Sequence, residues 1–227
     1  MNATVRALSL PLIIASFMVS SCGSDGDSSS NTTAASSAET VAAAVELSLD
    51  VSDEWEALAT CTAGPQTPAG SDLIAAATPA DEGVDGVLAF DDVEPSHVED
   101  CVDYPVRPTV GGAHFPVWAN CGFYTSPVPE ESAAHVLEHG GVWIAFDPGI
   151  DTAQLTAIRS VTASATHILA SPYPGLNSAV VLSAWGRQLD LDSVEDDRFE
   201  QFIDTYLEGP QTLEPGAPCT GGMGTPG

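Results

Sequence analysis

Lysine is absent from this 227-residue chain, and five arginines face 32 acidic residues, for a formal net charge of −27. Such a surface repels phosphate, which excludes nucleic acid and anionic lipid headgroups as charge-matched partners. It attracts cations loosely, and its bulk effect is solubility. No CxxC pair occurs, setting aside a thiolate zinc site and a thioredoxin-type redox centre. Internal repeats, a glycine-rich phosphate loop, a nucleophile elbow and a calcium loop are also missing. The acidic run Asp190 to Asp197 lacks EF-hand spacing and reads as the solvated approach to a helix. What remains is 44% hydrophobic, enough for a core, and long enough for one domain plus export and linker segments.

The amino terminus reads as a targeting segment. Arg6 supplies positive charge, and the apolar run Ala7 to Val19 is too short for a comfortable transmembrane span. It ends in Val19-Ser20-Ser21-Cys22, which resembles the bacterial lipobox, where the cysteine thiol takes the lipid. Residues 1–21 are thus expected to be a lipoprotein signal peptide. Cys22 would anchor the chain at the extracytoplasmic face of the membrane. Residues 22–45, rich in Gly, Ser, Asp and Thr, would be a flexible tether, and 46–85 a weakly structured extension. Between Val41 and Cys61, the residues Val41, Val45, Trp55 and Leu58 could mark weak helical turns, and Gly64 to Gly70 is loop. The remaining cysteines, Cys61, Cys101, Cys121 and Cys219, fit two disulfides in an oxidising compartment, with three pairings open.

Beyond Gly86 the pattern sharpens. Val87 to Phe90 reads as a short buried strand, followed by a long stretch broken by Pro95, Pro105, Pro108, Gly111, Gly112 and Pro116. A helix is predicted over Pro129 to His139, stopped by Gly140-Gly141. A strand follows over Val142 to Phe146, then a helix from an Asp151 cap to about Ala165. Strands at His167 to Ala170 and Ala179 to Ala184 flank a turn at Ser171 to Gly175. Phe199, Phe202, Ile203 and Tyr206 form one apolar stripe on a helix spanning Asp196 to Leu207. The order predicts an α+β two-layer sandwich with a small mixed sheet and long ordered loops over residues 86–219. The Asp151 helix would link parallel strands. Residues 220–227 read as a disordered tail.

Histidines concentrate between Ala113 and Val142. His135 and His139 lie one helical turn apart, presenting half of a metal site. His114 follows a Gly-Gly loop and His97 precedes it, so a folded loop could bring His97, His114, His135 and His139 together as metal ligands. Nitrogen-rich sites suit zinc, copper or nickel, and zinc or copper is the expected cofactor. Met223 is the soft donor that would speak for copper, and His167 reads as structural. His135, Glu138 and His139 also spell the HxxEH of inverzincin peptidases, in which Glu138 would be general base. Those enzymes need a distant glutamate; Glu214 lies downstream in a proline-rich segment. Phe115, Trp118, Phe123, Tyr124 and Trp143 read as core, with a ligand wall as the alternative, and Tyr173 as a turn residue or pocket rim.

The stretches Tyr104 to His114, Trp118 to Tyr124 and His135 to Trp143 resemble the bacterial domain of unknown function 3105 family. So do Ser171 to Gly175, Ala184-Trp185-Gly186-Arg187 and Glu214 to Cys219. The resemblance covers about Gly86 to Cys219 and implies an exported or membrane-associated protein without an established activity. It also implies that His97, His114, His135, Glu138 and His139 form one site. The usual loop reads close to Pro-Pro-Thr-Ser-Gly-Pro-His; here one more residue separates Thr109 from His114. Three functions stand: a lipoprotein with a divalent-metal site, a non-catalytic envelope interaction module binding a protein or small ligand, and a metal-dependent hydrolase.

Overall fold

The computed structural model describes residues 61, 63–80 and 83–227. The signal peptide, Cys22, the tether and the helical turns before Cys61 lie outside them.

Among the described residues, the chain runs through a short helix α1 (Asp72–Ala76) and four two-residue strands. These are β1 (Thr78–Pro79), β2 (Leu88–Ala89), β3 (Ser96–His97) and β4 (Ala113–His114). Next come β5 (Gly122–Phe123), α2 (Glu130–Glu138), β6 (Val142–Phe146), α3 (Thr152–Thr162) and β7 (Ile168–Pro172). A hairpin of β8 (Val180–Ala184) and β9 (Arg187–Leu191) leads to α4 (Arg198–Tyr206). Seven strands make an open mixed sheet in the order β1-β2-β9-β8-β6-β7-β5, so the fold is α+β. The β1-to-β6 side is antiparallel, whereas β6, β7 and β5 run parallel, with α3 as the crossover between β6 and β7.

Burial on both faces explains why β6 is an unbroken apolar run and β8 is apolar except at Ser183. Alternation sends Val142, Ile144 and Phe146 to one face, where Ile158 of α3 and the Phe199–Tyr206 stripe of α4 cover them. Sheet and helices there form the expected sandwich. Trp143 and Ala145 point the other way, against Val136 and Leu137 of α2 and the loop residues Tyr124 and Trp185. The Asp151 carboxylate accepts from the Ala153 and Gln154 N–H groups, capping α3 as anticipated.

Three expectations need correction. The turn assigned to Ser171–Gly175 is partly strand, because β7 continues through Pro172, paired with Phe146. Proline is tolerated there because β5 pairs β7 only at Leu169 and Ala170, so the missing N–H faces no ladder. The acidic run from Asp190 is not simply the approach to a helix: Asp190 belongs to β9 and accepts a hydrogen bond from Gln66 at 2.6 Å. Finally, where composition suggests a disordered tail, residues 220–227 follow an ordered path. Met223 bridges Ala119, Asn120 donates to Gly222 and Gly224, and the Gly227 N–H reaches Phe123.

Two disulfides, Cys61–Cys101 and Cys121–Cys219, select one of the three pairings, with Cα separations of 5.5 and 5.3 Å. They point to an oxidising, extracytoplasmic compartment. No helix among the described residues is long and apolar enough to cross a membrane.

Candidate metal centre

Helix α2 is buried at all nine positions, although four of its side chains are Glu130, Glu131, His135 and Glu138. Buried polar groups need partners, and most find them outside the helix. Glu131 accepts from the Val102 N–H at 2.8 Å. Glu130 pairs with Arg107 and accepts from the Tyr173 hydroxyl at 2.8 Å and the Thr109 N–H at 3.0 Å. Burial pushes the Glu130 carboxyl up, and these donors pull it back. The first-turn glutamates therefore moor the proline-rich loop onto α2, besides facing the positive end of its dipole. Arg107, one of five cations in the chain, was the available signal for this anchor.

That mooring delivers His97 and His114 to the far end of α2. Strands β3 and β4 pair in parallel with His97 opposite His114. The loop before β4 packs on Trp185: a Cβ at Gly111, whose φ is +120°, would lie 2.8 Å from the indole. The Tyr104 hydroxyl donates to the Ala113 carbonyl at 2.6 Å. As a result the His114 ring sits 4.8 Å from His135 and 5.0 Å from His97, and His97 stacks on His135 at 5.2 Å.

Each buried ring is oriented by a backbone carbonyl. The His114 Nδ1–H donates to Gly112 and the His135 Nδ1–H to Phe115, both at 2.7 Å. That leaves Nε2 of each as a lone pair, the form in which histidine binds metals. His114 Nε2 lies 3.0 Å from Glu138 Oε2, and His135 Nε2 lies 4.0 Å from the same oxygen. Neither His114 Nε2 nor Glu138 Oε2 has a hydrogen-bond partner among the described residues. Burial drives the His135 imidazole down to about 4; the Phe115 carbonyl opposes this, and His139, His114 and His97 add to it.

One ligand atom from each of His97, His114, His135 and Glu138 can be chosen so that all lie within 4.8 Å of one another, close enough to hold one metal ion. Three of these side chains are buried and His97 is exposed, so the cluster opens to solvent on the His97 side. Cys61, Cys101 and Glu131 also converge, but the two sulfurs are bonded to each other and do not offer thiolates.

His139 is the expected ligand that the structure leaves out of this group. Its ring lies edge-on to His135 at 4.5 Å, but its Nδ1–H donates to the Pro218 carbonyl at 2.8 Å. Its Nε2 faces Glu214 Oε2 at 3.6 Å. Helical spacing put both rings on one face; the carbonyls that turn them come from segments 20 and 79 residues away, and no side-chain pattern announces those. Glu138 takes the fourth place. His167 is structural, with Nε2 on the Ala217 carbonyl and Nδ1 on the Thr166 hydroxyl. Trp118 lines the site, 5.5 Å from His135 and 4.9 Å from His139, whereas Trp143 and Phe123 are core. Tyr173 is buried and serves the Glu130 anchor.

No curated protein and no solved structure matches the chain significantly. The family described as Protein of unknown function (DUF3105) matches residues 97–221, from the first histidine of the cluster to just beyond the second disulfide. That is more than half of the 227 residues, and this chain belongs to that family.

Proposed function

We propose that the chain is an exported, lipid-anchored envelope protein whose domain binds a divalent transition-metal ion, zinc or copper, through His97, His114, His135 and Glu138. The observation that carries this reading is the buried meeting of His114 Nε2 with Glu138 Oε2, both acceptors and both unpartnered among the described residues. Two acceptors facing each other repel, and burying them unsatisfied costs about 1–3 kcal/mol for each group. A cation between them removes the repulsion and satisfies both. Three imidazoles and one carboxylate suit borderline divalent ions.

In this reading the Gly112 and Phe115 carbonyls set ring orientation, and exposed His97 closes the site from the solvent side. Glu138 is itself a ligand, which removes it as the general base of a hydrolase. Metal analysis of protein purified without a His tag tests the proposal. One equivalent should survive dialysis and be lost in His114→Ala. Substoichiometric metal, unchanged in His114→Ala and His135→Ala, would overturn it. The anchor is tested separately, since Cys22→Ser should move the protein from the membrane fraction to the soluble one.

A second reading, an interaction module, has one observation in its favour. A groove of about 400 Å³ beside the 109–113 loop is walled by Phe90, Tyr104 and Val110 and rimmed by Asp91, Asp92 and Glu94. Its shape and charge suit an apolar ligand bearing a positive group.

A further inference from the structure

Outside the four-ligand cluster, one more imidazole lone pair faces a carboxylate. The His139 Nδ1–H is committed to the Pro218 carbonyl at 2.8 Å, so Nε2 is the bare nitrogen, and Glu214 Oε2 stands 3.6 Å from it. That distance is too long for a hydrogen bond and leaves room for an ion between the two.

The segment that brings Glu214 there is fastened at several points. The Glu214 N–H donates to the Glu138 carbonyl at 3.0 Å, tying the glutamate to the end of α2. The Ala217 carbonyl accepts from His167 Nε2 at 3.0 Å, and Cys219 is bonded to Cys121. At the helix end, Gly140 has a φ of +91°, and a Cβ there would meet Thr212 Oγ1 at 2.7 Å, so the chain turns tightly beneath the segment. The His139 side chain is buried, while that of Glu214 is 55% exposed, leaving the outer side open to water ligands.

We propose that His139 and Glu214 hold a second divalent transition-metal ion, bound more weakly than the first and completed by water. The proposal rests on the reading of His97, His114, His135 and Glu138 as the primary centre. With two protein ligands instead of four, the second ion exchanges readily. The 4.5 Å approach of the His139 and His135 rings places it next to the buried centre.

The test is a calorimetric titration of the metal-free protein with Zn²⁺ alone, at about 0.15 M salt so that diffuse attraction to the acidic surface is screened. The native chain should take up two equivalents of unequal affinity. Glu214→Gln, a change at an exposed side chain, should keep the tight equivalent and weaken the other by about tenfold or more. His114→Ala should do the reverse, losing the tight equivalent and keeping the weak one. Asp204→Asn, an exposed acid on α4, should change neither. A single equivalent in the native chain, or a second one indifferent to Glu214→Gln, overturns this proposal and leaves the primary centre standing. Absence of any tight equivalent refutes the primary centre and this inference with it.

Discussion

His114 Nε2 and Glu138 Oε2 lie 3.0 Å apart in a buried setting, acceptor against acceptor, although 24 residues separate them in the chain. The arrangement is unfavourable unless a proton or a metal ion lies between the two atoms, and that makes it informative.

Glu138→Gln should separate stability from binding. An amide N–H can donate to the waiting His114 nitrogen, so the metal-free variant should be more stable than the native chain by about 1 kcal/mol. The same change removes a charged ligand and should lower metal affinity. Chemical denaturation in the presence of a chelator reads the first effect; a lower midpoint would contradict it.

The metal-free protein should lose stability in mild acid. His135 titrates near 6.5 when unfolded but is held at about 4 by burial in the fold. Between those values the unfolded chain binds more protons, so stability rises with pH from about 4 to about 6.5 and then levels off. His135 contributes at most about 3 kcal/mol to that rise. The slope should shrink in His135→Gln, and an unaltered slope would argue against the assignment.

Arg107→Met should be among the most damaging single changes. It strands the Glu130 carboxylate inside the fold with only the Tyr173 and Thr109 donors, an outcome that typically costs about 3–5 kcal/mol. Adding Glu130→Gln should restore part of the loss. Thermal or urea unfolding of the three variants measures the coupling, and strict additivity would deny it.

Gly111→Ala should weaken metal binding without touching a ligand. The positive φ and the indole of Trp185 both oppose a methyl group there. The strain costs about 1–3 kcal/mol and should displace the Gly112–His114 segment, lowering metal affinity by about tenfold. Affinity equal to that of the native chain would show that the loop relaxes without moving His114.

The elements legible in the sequence are those whose cause is local. Helix α2, strand β6 and helices α3 and α4 appear where apolar periodicity, the Asp151 cap and the Gly140-Gly141 stop indicate them. Strand β9 was not legible, because Arg187, Gln188 and Asp190 dilute its alternation and the acidic residues after it suggest solvent. Strand β2 falls inside the strand expected over Val87 to Phe90, whereas β1, β3, β4 and β5 carry too few positions to show any period.

Ligand chemistry followed the same division. That His97, His114, His135, Glu138 and His139 are candidate donors could be read from residue type and spacing, because imidazoles and carboxylates bring their donor atoms wherever they sit. Which of them come close enough to hold one ion was decided only by tertiary structure. Backbone carbonyls of Gly112, Phe115 and Pro218 fix the tautomer and tilt of His114, His135 and His139, and those carbonyls reach the rings through a loop moored by Arg107 and a segment pinned by Cys219. Every residue has a carbonyl, so sequence alone does not show which one a ring will meet.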